Sequence, residues 1–104
     1  MILGRVIGTV WATRKDEQTV GMKFQIVREV ELDYTPKSGF VVAVDSVGAG
    51  VGEIVLVAQG SSGRQTELTR GKPVDAVIMA IVDRLDVDED EVEEVKRRAA
   101  VTST

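Results

Sequence analysis

The sequence holds no cysteine and no histidine, only four aromatic residues, and no long uninterrupted apolar run in its 104 positions. Each absence removes a class of function. Without cysteine there is no disulfide framework, no thiolate nucleophile and no zinc–thiolate centre. Without histidine, Ser-His-Asp and Cys-His catalysis and most transition-metal sites lose their imidazole. General acid–base chemistry would fall to Asp, Glu, Lys or Tyr alone. Apolar stretches such as Ile54–Ala58 are far shorter than a bilayer span requires. The opening Met1-Ile2-Leu3-Gly4 lacks the basic, apolar and small-residue zones of a secretory leader. A cytoplasmic protein without catalytic residues, cofactor or metal is the expectation.

Charge is unevenly placed. Residues 1–84 carry ten basic and ten acidic side chains, whereas residues 85–104 carry three and seven, which supplies the whole net charge of −4. A neutral body with an acidic tail is a poor match for a phosphate backbone. The aromatic set, Trp11, Phe24, Tyr34 and Phe40, is too small for a base-stacking platform, more so with Phe24 expected in the core. Neither nucleic acid nor membrane is an expected partner.

What is present reads as strands. Gly4–Thr13 alternates, with Val6, Val10 and Ala12 on one face and Ile7 and Trp11 on the other. Met22–Asp33 sets Met22, Phe24, Ile26, Val30 and Leu32 against Lys23, Gln25, Glu29 and Glu31. Residues 34–39 have turn chemistry. Further strands are expected at Phe40–Asp45, at Ile54–Gln59 and from Pro73 or Val74 to Asp83. Five short strands in about eighty residues predict an all-β fold, a small five-stranded antiparallel, OB-like barrel spanning 1–85. Residues 86–104 predict a short acidic C-terminal helix and tail. Its acidic start (Asp88–Glu91) and basic end (Lys96–Arg98) suit the helix macrodipole.

The motifs weigh against nucleotide and metal chemistry. Gly48-Ala49-Gly50-Val51-Gly52 is spaced G-x-G-x-G and precedes a strand, whereas a dinucleotide fingerprint needs G-x-G-x-x-G before a helix. A tight loop is the better reading. Gly71-Lys72-Pro73 lacks the Ser or Thr of a Walker loop. Asp86–Asp90 opens like a calcium loop, then places Glu91 where glycine must turn the chain. Asp45, Asp75 and Asp83 stand at strand ends, where capping is usual.

Strand five is apolar on both faces, with Ala76, Ile78, Ala80 and Val82 on one and Val77, Met79 and Ile81 on the other. A barrel has one interior, so the second face needs cover. The chain's own loops and helix are one candidate cover; cover by another subunit is the expectation, with Ile7, Trp11, Val77, Met79 and Ile81 as apolar interface residues.

In this order and spacing, several segments resemble the EutN/CcmL-type bacterial microcompartment vertex proteins. Leu3–Thr13 is similar to that family's G-x-V-x-G-x-V opening, and Val20–Phe24 to its turn into strand two. Val44–Glu53 resembles its most distinctive signature, Gly60–Arg64 its G-S-S-A-R element, and Pro73–Asp83 its closing strand. The tail beyond Asp86 matches no motif of the family. The resemblance implies a structural subunit forming a cyclic pentamer that caps five-fold vertices of a shell, beside flat hexameric shell proteins. It further implies that Gly48, Ala49, Gly50 and Gly52 lie near the ring axis or an inter-subunit loop. Ser61, Ser62 and Arg64 would line a subunit contact or pore rim. The same interface could close at five or six copies, and a free-standing homo-oligomeric scaffold is the alternative.

Overall fold

The computed structural model describes residues 1–12, 17, 21–60 and 75–102. Five strands, β1 (Ile2–Val10), β2 (Phe24–Val30), β3 (Pro36–Asp45), β4 (Ile54–Gln59) and β5 (Ala76–Val82), precede one helix, α1 (Glu89–Thr102). The strands close into a barrel in the order β1-β2-β3-β5-β4. Four of the five pairings are antiparallel. The fifth, β3 with β5, is parallel and short, joining Val44 to Val77 and Asp45 to Ile78. That seam closes the barrel with two residue pairs, and the rest of β3 has no strand partner on that side among the described residues.

The interior is built almost wholly from small and β-branched side chains. Val6, Val27, Ala43, Ala49, Val55, Val57, Ala76 and Ile78 form the central cluster, with Ile2, Val41 and Ile81 packed against it. Residues of this size fit a narrow barrel, and bulkier ones would overfill it. Gly4 marks the tightest point. A Cβ there would overlap the Val27 side chain and come within 2.7 Å of the Arg28 carbonyl oxygen.

Three departures from simple alternation matter for function. In β1 the register slips between Val6 and Gly8. Ile7 bulges outward, and Val6 and Thr9 both serve the interior while Val10 does not. In β2 the inward face is Gln25 and Val27, opposite to the face the apolar pattern suggested. Phe24 is only half-buried and packs outside the central cluster. In β5 the ladder slips at Met79, which opposes no β4 residue, and pairing resumes with Ala80 on Leu56. Ile81 then faces Val55 and the core rather than sharing a face with Met79. Strand-period reasoning assumes an unbroken repeat of two, and one inserted residue inverts everything after it.

The segment 36–39, read as turn, is the start of β3, with Pro36 opposite Val30. The preceding turn is pinned by Asp33, whose Oδ1 accepts the Thr35 N–H at 3.0 Å. Hydrogen bonds from Thr35 hold the Asp33 carboxyl below its ordinary pKa. Between these residues Tyr34 takes a left-handed conformation (φ 70°).

Helix α1 begins on Asp88, whose Oδ1 accepts the Asp90 N–H at 2.8 Å, a side-chain N-cap. It runs to Thr102, so Lys96, Arg97 and Arg98 sit within it and its last turn holds no basic residue. Lys96 and Arg97 instead pair with Glu93 and Glu94 one turn earlier. Among residues 89–100, Val95 is the buried side chain.

Candidate assembly site

A loop at one end of the barrel links β3 to β4, and its order comes from one carboxylate. Asp45 Oδ1 accepts the backbone N–H groups of Val47, Gly48 and Ala49 at 3.0, 2.9 and 3.2 Å. Gln25 Nε2 donates to Asp45 Oδ2 at 3.3 Å and to the Ala49 carbonyl at 2.8 Å. Thr9 Oγ1 donates to Gln25 Oε1 at 2.7 Å. Side chains from three strands thus hold one loop. Burial pushes the Asp45 carboxyl up, but the N–H groups of Val47 and Ala49, the Gln25 amide and the Gly48 N–H outweigh it. The net pKa lies below the ordinary 3.8.

The far half of the loop is tied to β1. The Gly52 N–H donates to the Val6 carbonyl at 2.8 Å, and the Val6 N–H donates to the Glu53 carbonyl at 3.0 Å. Glu53 Oε1 accepts the Gly50 N–H at 2.6 Å. Gly48 and Gly52 adopt φ of 74° and 96°, where a side chain is disfavoured. Ser46 Oγ donates to the Ile78 carbonyl at 2.5 Å, fastening the loop to β5. The glycine-rich segment is therefore a self-capped turn, with the N–H groups of Gly48, Ala49 and Gly50 directed to the carboxylates that flank it and that of Gly52 to β1.

Of the loop positions expected to meet a neighbour, Gly48 and Gly52 are exposed, Gly50 is half-buried and Ala49 is buried in the core. Ser61, Ser62 and Arg64 lie outside the described residues. Gly60, at the threshold, donates its N–H to the Asp75 carbonyl at 2.7 Å and so brings the ends of that connection together.

The apolar interface candidates separate. Trp11 is 89% exposed, and Ile7 and Met79 each about half so. Val77 is 0% exposed: with Val44 and Ala58 it forms a second buried cluster, against which Met22 and Phe24 pack. Their chain neighbours Ala43, Val57, Ala76 and Ile78 belong to the interior, so this cluster lies on the outer face. The chain's own packing answers the two-faced pattern at Val77, which has no surface left to give a partner. Ile81 is likewise engaged with the core.

Sequence reasoning missed Gln25 and Thr9. Gln25 was grouped with charged residues facing water, yet it is 1% exposed. Its one distinguishing mark was a neutral amide in a strand whose other polar members are charged. The outer face of β2 and β3 also passed unnoticed, because Phe40 and Val42 alternate like core residues.

The described residues thus form a closed barrel with one loop locked by its own polar groups and with exposed apolar side chains outside. Residues 1–83 match the protein family described as "Ethanolamine utilisation protein EutN/carboxysome". The chain is 46% identical over 89 residues to the bacterial microcompartment shell vertex protein PduN of Salmonella typhimurium, covering 82% of this chain and 98% of that one. The solved structure of CcmL from Gloeobacter violaceus superimposes with a TM-score of 0.80 at 41% identity, covering 85% of this chain and 91% of that one. The GrpN pentameric microcompartment shell protein from Rhodospirillum rubrum gives 0.77 at 42%, covering 85% and 100%. This chain belongs to the EutN/CcmL family. Helix α1 lies beyond the matched residues.

Proposed function

We propose that this protein is a non-catalytic shell subunit, five copies of which close a ring that caps the five-fold vertices of a bacterial microcompartment. The observation that carries this reading is the likeness to GrpN, a pentameric shell protein, over that chain's full length. The architecture supports it, since the buried polar side chain of the barrel, Gln25, is spent on holding a loop. The work of such a subunit is geometric. Six-fold tiles pave a flat sheet, and a five-fold unit supplies the curvature that closes it.

On this reading the subunit resides in the shell within the cytoplasm, and its neighbours are hexameric shell proteins. The turn at Gly48–Gly52 contributes an inter-subunit loop, while Ser61, Ser62 and Arg64 contribute a contact or pore rim. Arg64 bridges chains through a carbonyl or carboxylate of the next copy. Native mass spectrometry of the purified chain tests the ring. A dominant species at five times the 11.2 kDa chain mass is expected, and a monomer at micromolar concentration would end the proposal. Arg64→Ala is expected to weaken the ring; an unchanged pentamer in that variant removes Arg64 from the contact.

A further inference from the structure

Helix α1 lies beyond the family-matched residues 1–83, and the barrel nevertheless gives it a place to rest. Within residues 89–100, Val95 is buried, Val92 and Ala99 are half-buried, and every other side chain is exposed. Spacings of three and four put these residues on one face of the helix. That face leans on the β2–β3 turn. A cavity of about 280 Å³ lies between them, lined by Thr35, Pro36 and Lys37 on the barrel side and by Val95, Arg98 and Ala99 on the helix side. Charge adds to the contact. Hydrogen bonds from Thr35 lower the Asp33 carboxyl most, and the Lys96 charge lowers it further.

The two partners differ in how they hold their shape. The turn is fixed by bonds of its own: the Glu31 N–H donates to the Thr35 carbonyl at 2.8 Å, and the Tyr34 N–H to the Glu31 carbonyl at 2.9 Å. It therefore stays formed whether or not α1 is seated. The helix has no such independence, because a helix of this length needs docking to be ordered. Its seat is incompletely filled, and the cavity forfeits packing contacts on both walls. Residues 83–88, which join β5 to α1, belong to neither strand nor helix, so the helix can lift without disturbing a ladder. We infer that the β2–β3 turn is a docking site for an amphipathic helix, and that α1 is its tethered occupant, a latch that opens while the barrel stays folded. A free helix with the same face, small apolar residues beside Lys and Arg, competes for this seat only when α1 lifts. The latch is independent of the ring proposed above.

Hydrogen–deuterium exchange of the full chain, read by mass spectrometry, tests both halves. Amides of residues 91–100 are expected to be protected roughly 10- to 100-fold, the worth of burying one valine. Those of β1, β2 and β4 are expected to be protected at least about 1,000-fold, as global unfolding requires. Val95→Asp is expected to abolish protection of α1 and speed exchange at residues 31–37 several-fold, with β4 and β5 unchanged. Arg97→Ala, on the exposed side of the helix, is expected to change neither segment. Short tethers give effective concentrations in the millimolar range. A peptide of residues 86–102 at about 1 mM is therefore expected to restore slow exchange at 31–37 in the Val95→Asp chain. Helix amides as slow as those of the barrel, or a barrel that loses protection in Val95→Asp, overturn the latch. Exchange at 31–37 that ignores Val95→Asp, or that the peptide does not restore, overturns the docking site.

Discussion

Gln25 is the residue on which barrel and loop meet, since its amide bonds Thr9, Asp45 and Ala49 at once. Replacing it with Leu strips the Ala49 carbonyl and the Thr9 hydroxyl of their partner in a buried place. Unsatisfied buried groups cost about 1–3 kcal/mol each, so Gln25→Leu is expected to lower stability by about 2–4 kcal/mol in urea titrations. Gly4 offers a contrast with Gly8 four residues on. A methyl at Gly4 meets Val27 and the Arg28 carbonyl, whereas at Gly8 it reaches only the end of Ile26 at 3.6 Å. Gly4→Ala is expected to cost about 2–3 kcal/mol by overpacking and Gly8→Ala under about 1 kcal/mol, measured by the same titration. Asp45 adds a pH signature. Its folded pKa lies below the ordinary 3.8, so its contribution is present above 3.8 and drains away as pH falls through the folded value. The stability gap between wild type and Asp45→Asn should therefore be widest near neutrality and narrow below pH 3.8. A gap constant down to strong acid would show that the charge is not what holds the loop.

Among the elements, α1 stands apart from the barrel. It is short, it buries Val95, and its exposed ion pairs contribute little. Helices of this length owe their order to docking, and among residues 89–100 Val95 alone is buried, which docks the helix weakly. A chain ending at Leu85 is expected to keep a cooperative urea transition within about 2 kcal/mol of the full chain, roughly the burial of one side chain. Loss of cooperative unfolding in the shortened chain would mean that α1 belongs to the core. The loop is the opposite case. It lies outside the strands yet is tied to β1, β2 and β5 by side-chain or backbone bonds. Gly52→Ala, forced to φ 96°, is expected to destabilise by about 1 kcal/mol in thermal melts.

For the whole molecule, function and symmetry are one question. A contact that joins one surface to a different surface of the next copy makes closed rings or open filaments, and the angle between the two surfaces decides which. Five-fold closure places curvature in an otherwise flat shell. Co-expression with a hexameric shell protein is expected to give closed polyhedra by electron microscopy when this chain is present. Open sheets or tubes are expected when it is omitted. Sheets that persist with the chain present would leave a ring without a vertex role.

The small-residue strand pattern, the lack of imidazole and thiol, and the signature segments from Leu3 to Asp83 established an all-β barrel, its family and its poverty in catalytic groups. Each depends only on residue type and local order. The extent of β4 and the existence of all five strands followed for the same reason, because period-two alternation is a short-range property. Which face of β2 points inward, and where Ile81 and Val77 lie, were tertiary decisions. The bulge at Met79 turned Ile81 to the core, while Val77 kept its outer face and was covered by Met22 and Phe24. Ile26 and Val27 are both apolar, so the pattern of β2 did not mark its inward face. A slip of one residue leaves no trace in a list of apolar positions. The three-strand clasp of Asp45, Gln25 and Thr9 was hidden likewise, since barrel closure brings together residues up to 36 positions apart in the chain. Local sequence carries strand and turn preference; the meeting of distant polar groups exists only once the barrel has closed.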